Sequence, residues 1–162
     1  MLSMPFKKIL VPYDASEFSN NALKVAIEVA ENMNAQILIL HVVPSLPISN
    51  KQYLKTTSEE DEVLTFSSLL KEKYQGISNK INSVIDEKVD ELNKAKVAIK
   101  TELKIGTPAN TILQYVEEHS IDLIIIGSKG ASGISKITKG LGLGSVSREI
   151  SEKASCPIMI IR

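Results

Sequence analysis

Cysteine is nearly missing from this chain. Cys156 is the sole one in 162 residues, so no internal disulfide can form, and a lone thiol cannot by itself supply a structural zinc site. A reducing compartment, the cytoplasm, fits that usage. Charge of one sign is also missing. Lysine plus arginine equals aspartate plus glutamate at 19 each, which leaves no net basic field to draw nucleic acid or anionic lipid. Any nucleotide must therefore be captured locally. No stretch approaches a membrane span, and Met1 to Lys8 holds Pro5 and two lysines where a signal peptide would need an apolar run. The length suits one domain over residues 1–162, with a core large enough to stand without staples.

What is present is short apolar runs separated by turn residues. Ile9 to Val11 ends in Pro12-Tyr13-Asp14-Ala15-Ser16, which reads as a buried strand feeding a helix. Ala22, Leu23, Ala26, Ile27 and Ala30 then recur at helical spacing up to Asn32-Met33-Asn34. Ile37 to Val43 is almost unbroken Ile, Leu and Val, as in strands covered on both faces. A long helical segment is expected at about 55–95, capped near Ser58-Glu59-Glu60-Asp61, with Leu64, Leu69 and Leu70, an interruption at Gly76, and a stripe of Ile81, Val84, Ile85, Val89 and Leu92. Val97, Ile99, Thr101, Leu103 and Ile105 alternate as a strand. Gly106-Thr107-Pro108 opens a helix with Ile112, Leu113 and Val116 on its apolar face. Leu123 to Ile126 is a further buried strand, Gly144-Ser145 opens a last helix with Val146 and Ile150, and Pro157 introduces the strand Ile158 to Ile161. Strands alternating with helices imply right-handed crossovers and an open, doubly wound parallel sheet of α/β class. Ligands on such sheets bind beyond the carboxyl ends of the strands, where the winding reverses.

One connection stands out there. From Gly127 to Ser145 the chain reads GSKGASGISKITKGLGLGS, holding six of the eight glycines between a strand and a helix. Glycines let successive amides point inward, and a helix N-terminus adds partial positive charge, so this segment can cradle phosphates, with Lys129, Lys136 and Lys139 nearby. It contains no Walker triplet and no dinucleotide fingerprint.

The segment instead resembles the nucleotide loop of the universal stress protein family, matching it at Gly127, Gly130 and Gly144-Ser145. KKILVPYDAS, ILILHVVP, GTPANTIL and CPIMIIR extend the resemblance over most of the chain outside residues 45–95. It implies a five-stranded, Rossmann-like sheet of the adenine nucleotide alpha hydrolase type in order 3-2-1-4-5. It also implies an adenine nucleotide as ligand: ATP, or AMP or ADP in its place, with magnesium or manganese left open. Asp14 then meets the nucleotide near its ribose, Pro12, Val42 (by its backbone) and Ile126 surround the base, and Tyr13 is a further nucleotide-binding residue. Gly127, Gly130, Gly144, Ser145 and Val146 take ribose and phosphates. The family pattern further implies a stress-response regulator with no assigned catalytic residue, at most slow hydrolysis, and a homodimer built on the C-terminal strand, whose apolar Ile158 to Ile161 would otherwise be an unpaired edge. There are two departures. Ala15 replaces the glycine that often follows the aspartate and tightens the backbone approach. Ala131 to Leu143 holds thirteen residues where the family has about nine; Gly140 lies at the usual distance but Leu141 follows it. Aligning Gly144-Ser145 places the extra residues inside the loop.

Other readings are weighed against this one. Asp14 also suits a helix cap, and with a divalent metal it could serve a phosphohydrolase. A non-nucleotide adaptor using a two-helix segment is a third possibility. A receiver-type phosphoacceptor would need further carboxylates at strand ends, and Val42-Val43-Pro44 and Gly106 offer none. His41 is expected as a hydrogen-bonded core histidine, His119 as solvated, and Cys156 as a buried, inert thiol. No Ser-His-Asp set or metal-ligand spacing is found.

Overall fold

The computed structural model describes residues 6–45, 59–92, 97–131 and 142–162, with the backbone alone for 59–67 and 88–92. Five strands alternate with four helices: β1 (Lys8–Pro12), α1 (Glu17–Met33), β2 (Gln36–Pro44), α2 (Glu59–Leu92), β3 (Ile99–Gly106), α3 (Pro108–His119), β4 (Leu123–Gly127), α4 (Ser145–Lys153) and β5 (Ile158–Ile161). All pairings are parallel and the order is β3-β2-β1-β4-β5, as the family resemblance implied. The winding reverses at β1, whose neighbours are β2 (Val11 beside Ile39) and β4 (Leu10 beside Ile124). The carboxyl ends of β1 and β4 therefore flank the switch point.

The three central strands, β2, β1 and β4, are buried on both faces because they are apolar at successive positions, whereas the edge strands β3 and β5 are only partly buried. Ile9, Val11, Ile37, Ile39 and Ile125 meet α1 and α2 on one face. Leu10, Leu38, Leu40, Ile124 and Ile126 meet α3 and α4 on the other. Each such side chain contributes about 1.5–3 kcal/mol when removed from water. In α1 the buried residues are Ser19 and the five apolar ones at helical spacing, and the helix stops where Asn34 turns left-handed at φ 51°. α3 starts on Thr107 with Pro108 in its first turn and ends at left-handed Ser120.

Two expectations need correction. Gly76 does not interrupt the helix: α2 runs through it without a break. A Cβ at Gly76 would meet nothing within 4 Å, so the residue lies in open space and costs the helix only about 1 kcal/mol. Ile77, Ile81 and Val84 anchor the helix on the α1 side of the sheet, whereas Leu69 and Tyr74 stay exposed. The strand read from Val97 begins at Ile99. The Ser58 cap lies outside the described residues. No helix among them is long and apolar enough to cross a membrane.

Candidate functional site

β1 runs into a corner whose backbone is held by its own side chains. Tyr13 N–H continues the ladder to the Leu40 carbonyl at 2.9 Å, and the Tyr13 carbonyl receives the imidazole Nδ1 of His41 at 2.7 Å. The Tyr13 hydroxyl donates to Asn20 Oδ1 at 2.6 Å. Burial, followed by the charge of Asp14, pushes that phenol up to about 12, so it stays protonated as the donor. Ser16, not Asp14, caps α1, with its Oγ accepting from Ser19 N–H at 3.1 Å. This disposes of the cap reading of Asp14. Ala15 sits left-handed at φ 64°, the region where glycine is at ease. The substitution of alanine there is thus a matter of backbone conformation rather than of tighter approach.

The turn through Ala15 frees Asp14 to bridge two corners. Its Oδ1 accepts from Ser16 N–H at 3.0 Å and its Oδ2 from Ala131 N–H at 2.8 Å, across 117 residues of chain. Burial raises the Asp14 pKa, but hydrogen bonds from Ser16, Ala131 and Ser19 outweigh it and hold the carboxyl below its ordinary value. A Cβ on Gly130 would lie 2.8 Å from that same Oδ2, so glycine is what lets the chain pass the carboxylate.

The second corner follows β4. A Cβ on Gly127 would lie 2.7 Å from the Phe18 carbonyl carbon, so this glycine admits the first turn of α1 against the strand end. Gly144 returns beside the start of the loop: its N–H donates to the Ser128 carbonyl at 2.7 Å, and a Cβ on it would stand 3.3 Å from Lys129 Cα. Gly144 is also the N-cap of α4, with no side-chain hydrogen bond to the helix amides. The first amides of a helix have no partner within it, and here they stand at the cleft. Gly133, Gly140, Lys136 and Lys139 lie outside the described residues.

Between the corners lies a cleft of about 290 Å³. All ten residues expected from the sequence, Pro12, Tyr13, Asp14, Val42, Ile126, Gly127, Gly130, Gly144, Ser145 and Val146, line it. Sequence reasoning did not single out Leu40, Pro108 or Ile112, which complete an apolar wall, or Ser147. Ser147 carried a faint signal: a small polar residue three positions before buried Ile150 on the inner stripe of α4. His41 is the hydrogen-bonded core histidine expected, 6% exposed, yet it acts on the site by fixing the carbonyl before Asp14. His119 is not simply solvated. It is partly buried, stacked on Tyr115 at 3.8 Å between ring centroids. Cys156 is half-buried rather than buried, and burial pushes its thiol up, which disfavours a thiolate nucleophile.

Comparison with known proteins bears on the family and the fold. The family model described as the universal stress protein family matches residues 5–162. Universal stress protein MJ0531 of Methanocaldococcus jannaschii is 32% identical over 157 residues, spanning 97% of this chain and 82% of that protein. Among solved structures, universal stress protein UspA from Lactobacillus plantarum superposes with a TM-score of 0.68 at 23% identity, over 97% of this chain and 98% of that one. A universal stress protein in complex with cAMP (TM-score 0.57, 18% identity, 98% of each chain) shares the fold. So does one from Archaeoglobus fulgidus in complex with dAMP (TM-score 0.55, 19% identity, 98% and 99% covered). A family match over nearly the whole length, on a sheet wound in the expected order, means that the chain belongs to the universal stress protein family.

Proposed function

We propose that the cleft binds an adenine nucleotide and that its occupancy regulates a homodimer in the cytoplasm. The observation that carries this reading is the convergence of three kinds of wall on one cavity: apolar side chains, a single carboxylate, and an uncapped helix start. Leu40, Val42, Ile112 and Ile126 suit the faces of a purine. Asp14 is placed to accept a ribose hydroxyl, since each carboxylate oxygen retains a lone pair beyond its amide bond. The amides of Ser145 and Val146, with Gly130 and Gly144 alongside, face the phosphates, where the α4 dipole favours negative charge. The cAMP and dAMP complexes of fold relatives support an adenine ligand over other choices.

Asp14 is the one carboxylate lining the described cleft. Magnesium and manganese prefer about six oxygens, so these residues do not fit a protein-held ion, and any ion would arrive with the nucleotide. The depressed pKa of Asp14 also makes it a weak general base. We therefore assign binding and signalling rather than rapid turnover. The dimer is assigned to β5, which among the described residues pairs with β4 alone and exposes Met159 at 38%.

Denaturing the purified protein and weighing any released small molecule tests the ligand; titration with AMP, ATP, cAMP and adenosine ranks it, and light scattering with and without ligand tests the dimer. Absence of a retained nucleotide together with no binding at millimolar concentration overturns the reading.

A further inference from the structure

The neck of the glycine loop is closed by one carbonyl. Ser128 O accepts twice, from Gly144 N–H at 2.7 Å and from Ser147 Oγ at 2.8 Å, while Ser128 N–H is fixed to the Ile161 carbonyl of β5 at 2.7 Å. Ser147 is 3% exposed, and its hydroxyl proton is shared with the Gly144 carbonyl one turn back at 3.1 Å. The first turn of α4 is thereby tied to the end of the sheet from two successive levels of the helix. Its cap position, Gly144, has no side chain to do the same.

We propose that Ser147 is a positioning residue for the phosphate end of the ligand: its buried hydroxyl holds the amides of Ser145 and Val146 in place over the cleft. The assignment rests on the nucleotide reading above and names the device on which the phosphate end of that site depends. Without the hydroxyl, Ser128 O keeps a single donor among the described residues, and of the two hydrogen bonds that tie the start of α4 to the end of the sheet only that of Gly144 is left, beside the packing of Val146. The apolar wall and Asp14 belong to other elements and keep their positions. The effect is therefore confined to the phosphate end, which separates it from general damage to the fold.

The test is calorimetric titration of adenosine and AMP into the parent, Ser147→Ala and Ser147→Cys, with amide exchange at Gly144 measured in the ligand-free proteins. In Ser147→Ala, AMP affinity falls about five- to tenfold, the size expected for one lost hydrogen bond, while adenosine stays within about twofold. Ser147→Cys keeps the volume with a weaker donor and falls between. Gly144 exchanges faster in Ser147→Ala than in the parent. Equal loss for both ligands in both variants, or no loss of AMP affinity in either, overturns the proposal. If the parent binds neither ligand the nucleotide reading falls, and Gly144 exchange still judges the clamp: unchanged exchange in Ser147→Ala overturns it, and faster exchange upholds it.

Discussion

The corner after β1 and the corner after β4 face the same cleft and are built in opposite ways. At the first, side chains satisfy the backbone: Ser16 caps α1, Asp14 closes its turn onto Ser16, and His41 holds the Tyr13 carbonyl. At the second, glycines stand at the turns, Ser147 of the helix start reaches back to the backbone, and α4 begins uncapped on Gly144. A corner satisfied by its own side chains offers a ligand shape and one carboxylate. A corner where a helix begins without a side-chain cap offers partial positive charge without net basicity, which is how a chain balanced at 19 charges of each sign can still attract an anion. Asp14 joins the two through Ala131.

The largest effect is expected where the corners touch as packed backbone. Gly127→Val drives a side chain into the Phe18 carbonyl carbon, 2.7 Å from the new Cβ, and the variant should lose about 3 kcal/mol or more by denaturant titration. A loss below about 0.5 kcal/mol would mean that packing against α1 does not require glycine there.

Cutting the bridge comes next. Asp14→Asn should lower stability by about 1.5 kcal/mol at pH 7, since one of the two donating amides loses its acceptor and the other keeps only a neutral oxygen, and should weaken nucleotide binding. The folded carboxyl lies below its ordinary value, so its contribution is complete above about pH 4 and disappears as the pH falls through the folded value. Parent and variant should accordingly converge in urea midpoint between pH 7 and pH 3. A gap that is constant with pH would exclude the carboxylate charge as its source.

Ser16→Ala isolates the self-satisfied corner. It removes the acceptor of Ser19 N–H and should cost about 1 kcal/mol, with AMP affinity within about twofold of the parent. A large loss of affinity would show that the α1 cap, and not α4 alone, orders the phosphate end. The smallest effect is a gain. Ala15→Gly relieves a left-handed alanine at φ 64° worth about 1 kcal/mol, less the added chain entropy of glycine, so thermal unfolding should show a net stabilisation of about 0.5 kcal/mol. Destabilisation would mean that the alanine methyl contributes packing that outweighs its strain; it does pack at the margin of the core.

Much of this was legible in advance, for reasons that differ by residue. Ile9 to Val11, Ile37 to Val43 (but for His41) and Leu123 to Ile126 are apolar without period and too short for helices, which suits doubly covered strands, and all three are strands. That these ten residues gather at one cleft was legible because a proline, a carboxylate and glycines at strand ends mark the place where the winding reverses, while their roles are implied by the family resemblance. Gly76 was misread because a breaker in an exposed helical stretch looks the same whether or not the helix passes through it; packing of Ile77, Ile81 and Val84 decided the matter. Gly127 was read as a ligand contact, and although it lines the cleft, its smallness answers to Phe18. His119 looked solvated because its partner Tyr115 is four residues away on the same face of α3, a contact that charge and position near a helix end do not advertise.

Local chemistry by itself determined the strands, the helices and the class of sheet, because apolar period, caps and breakers act over a few residues. It also marked which corners carry a carboxylate and which carry glycine. Tertiary structure alone decided that Asp14 binds Ala131 across 117 residues and that Ser128 O gathers donors from Gly144 and Ser147. Those contacts depend on how closely two separately folded corners approach, and that distance is set by the packing of α1 and α4 on the sheet, which no local stretch of sequence encodes.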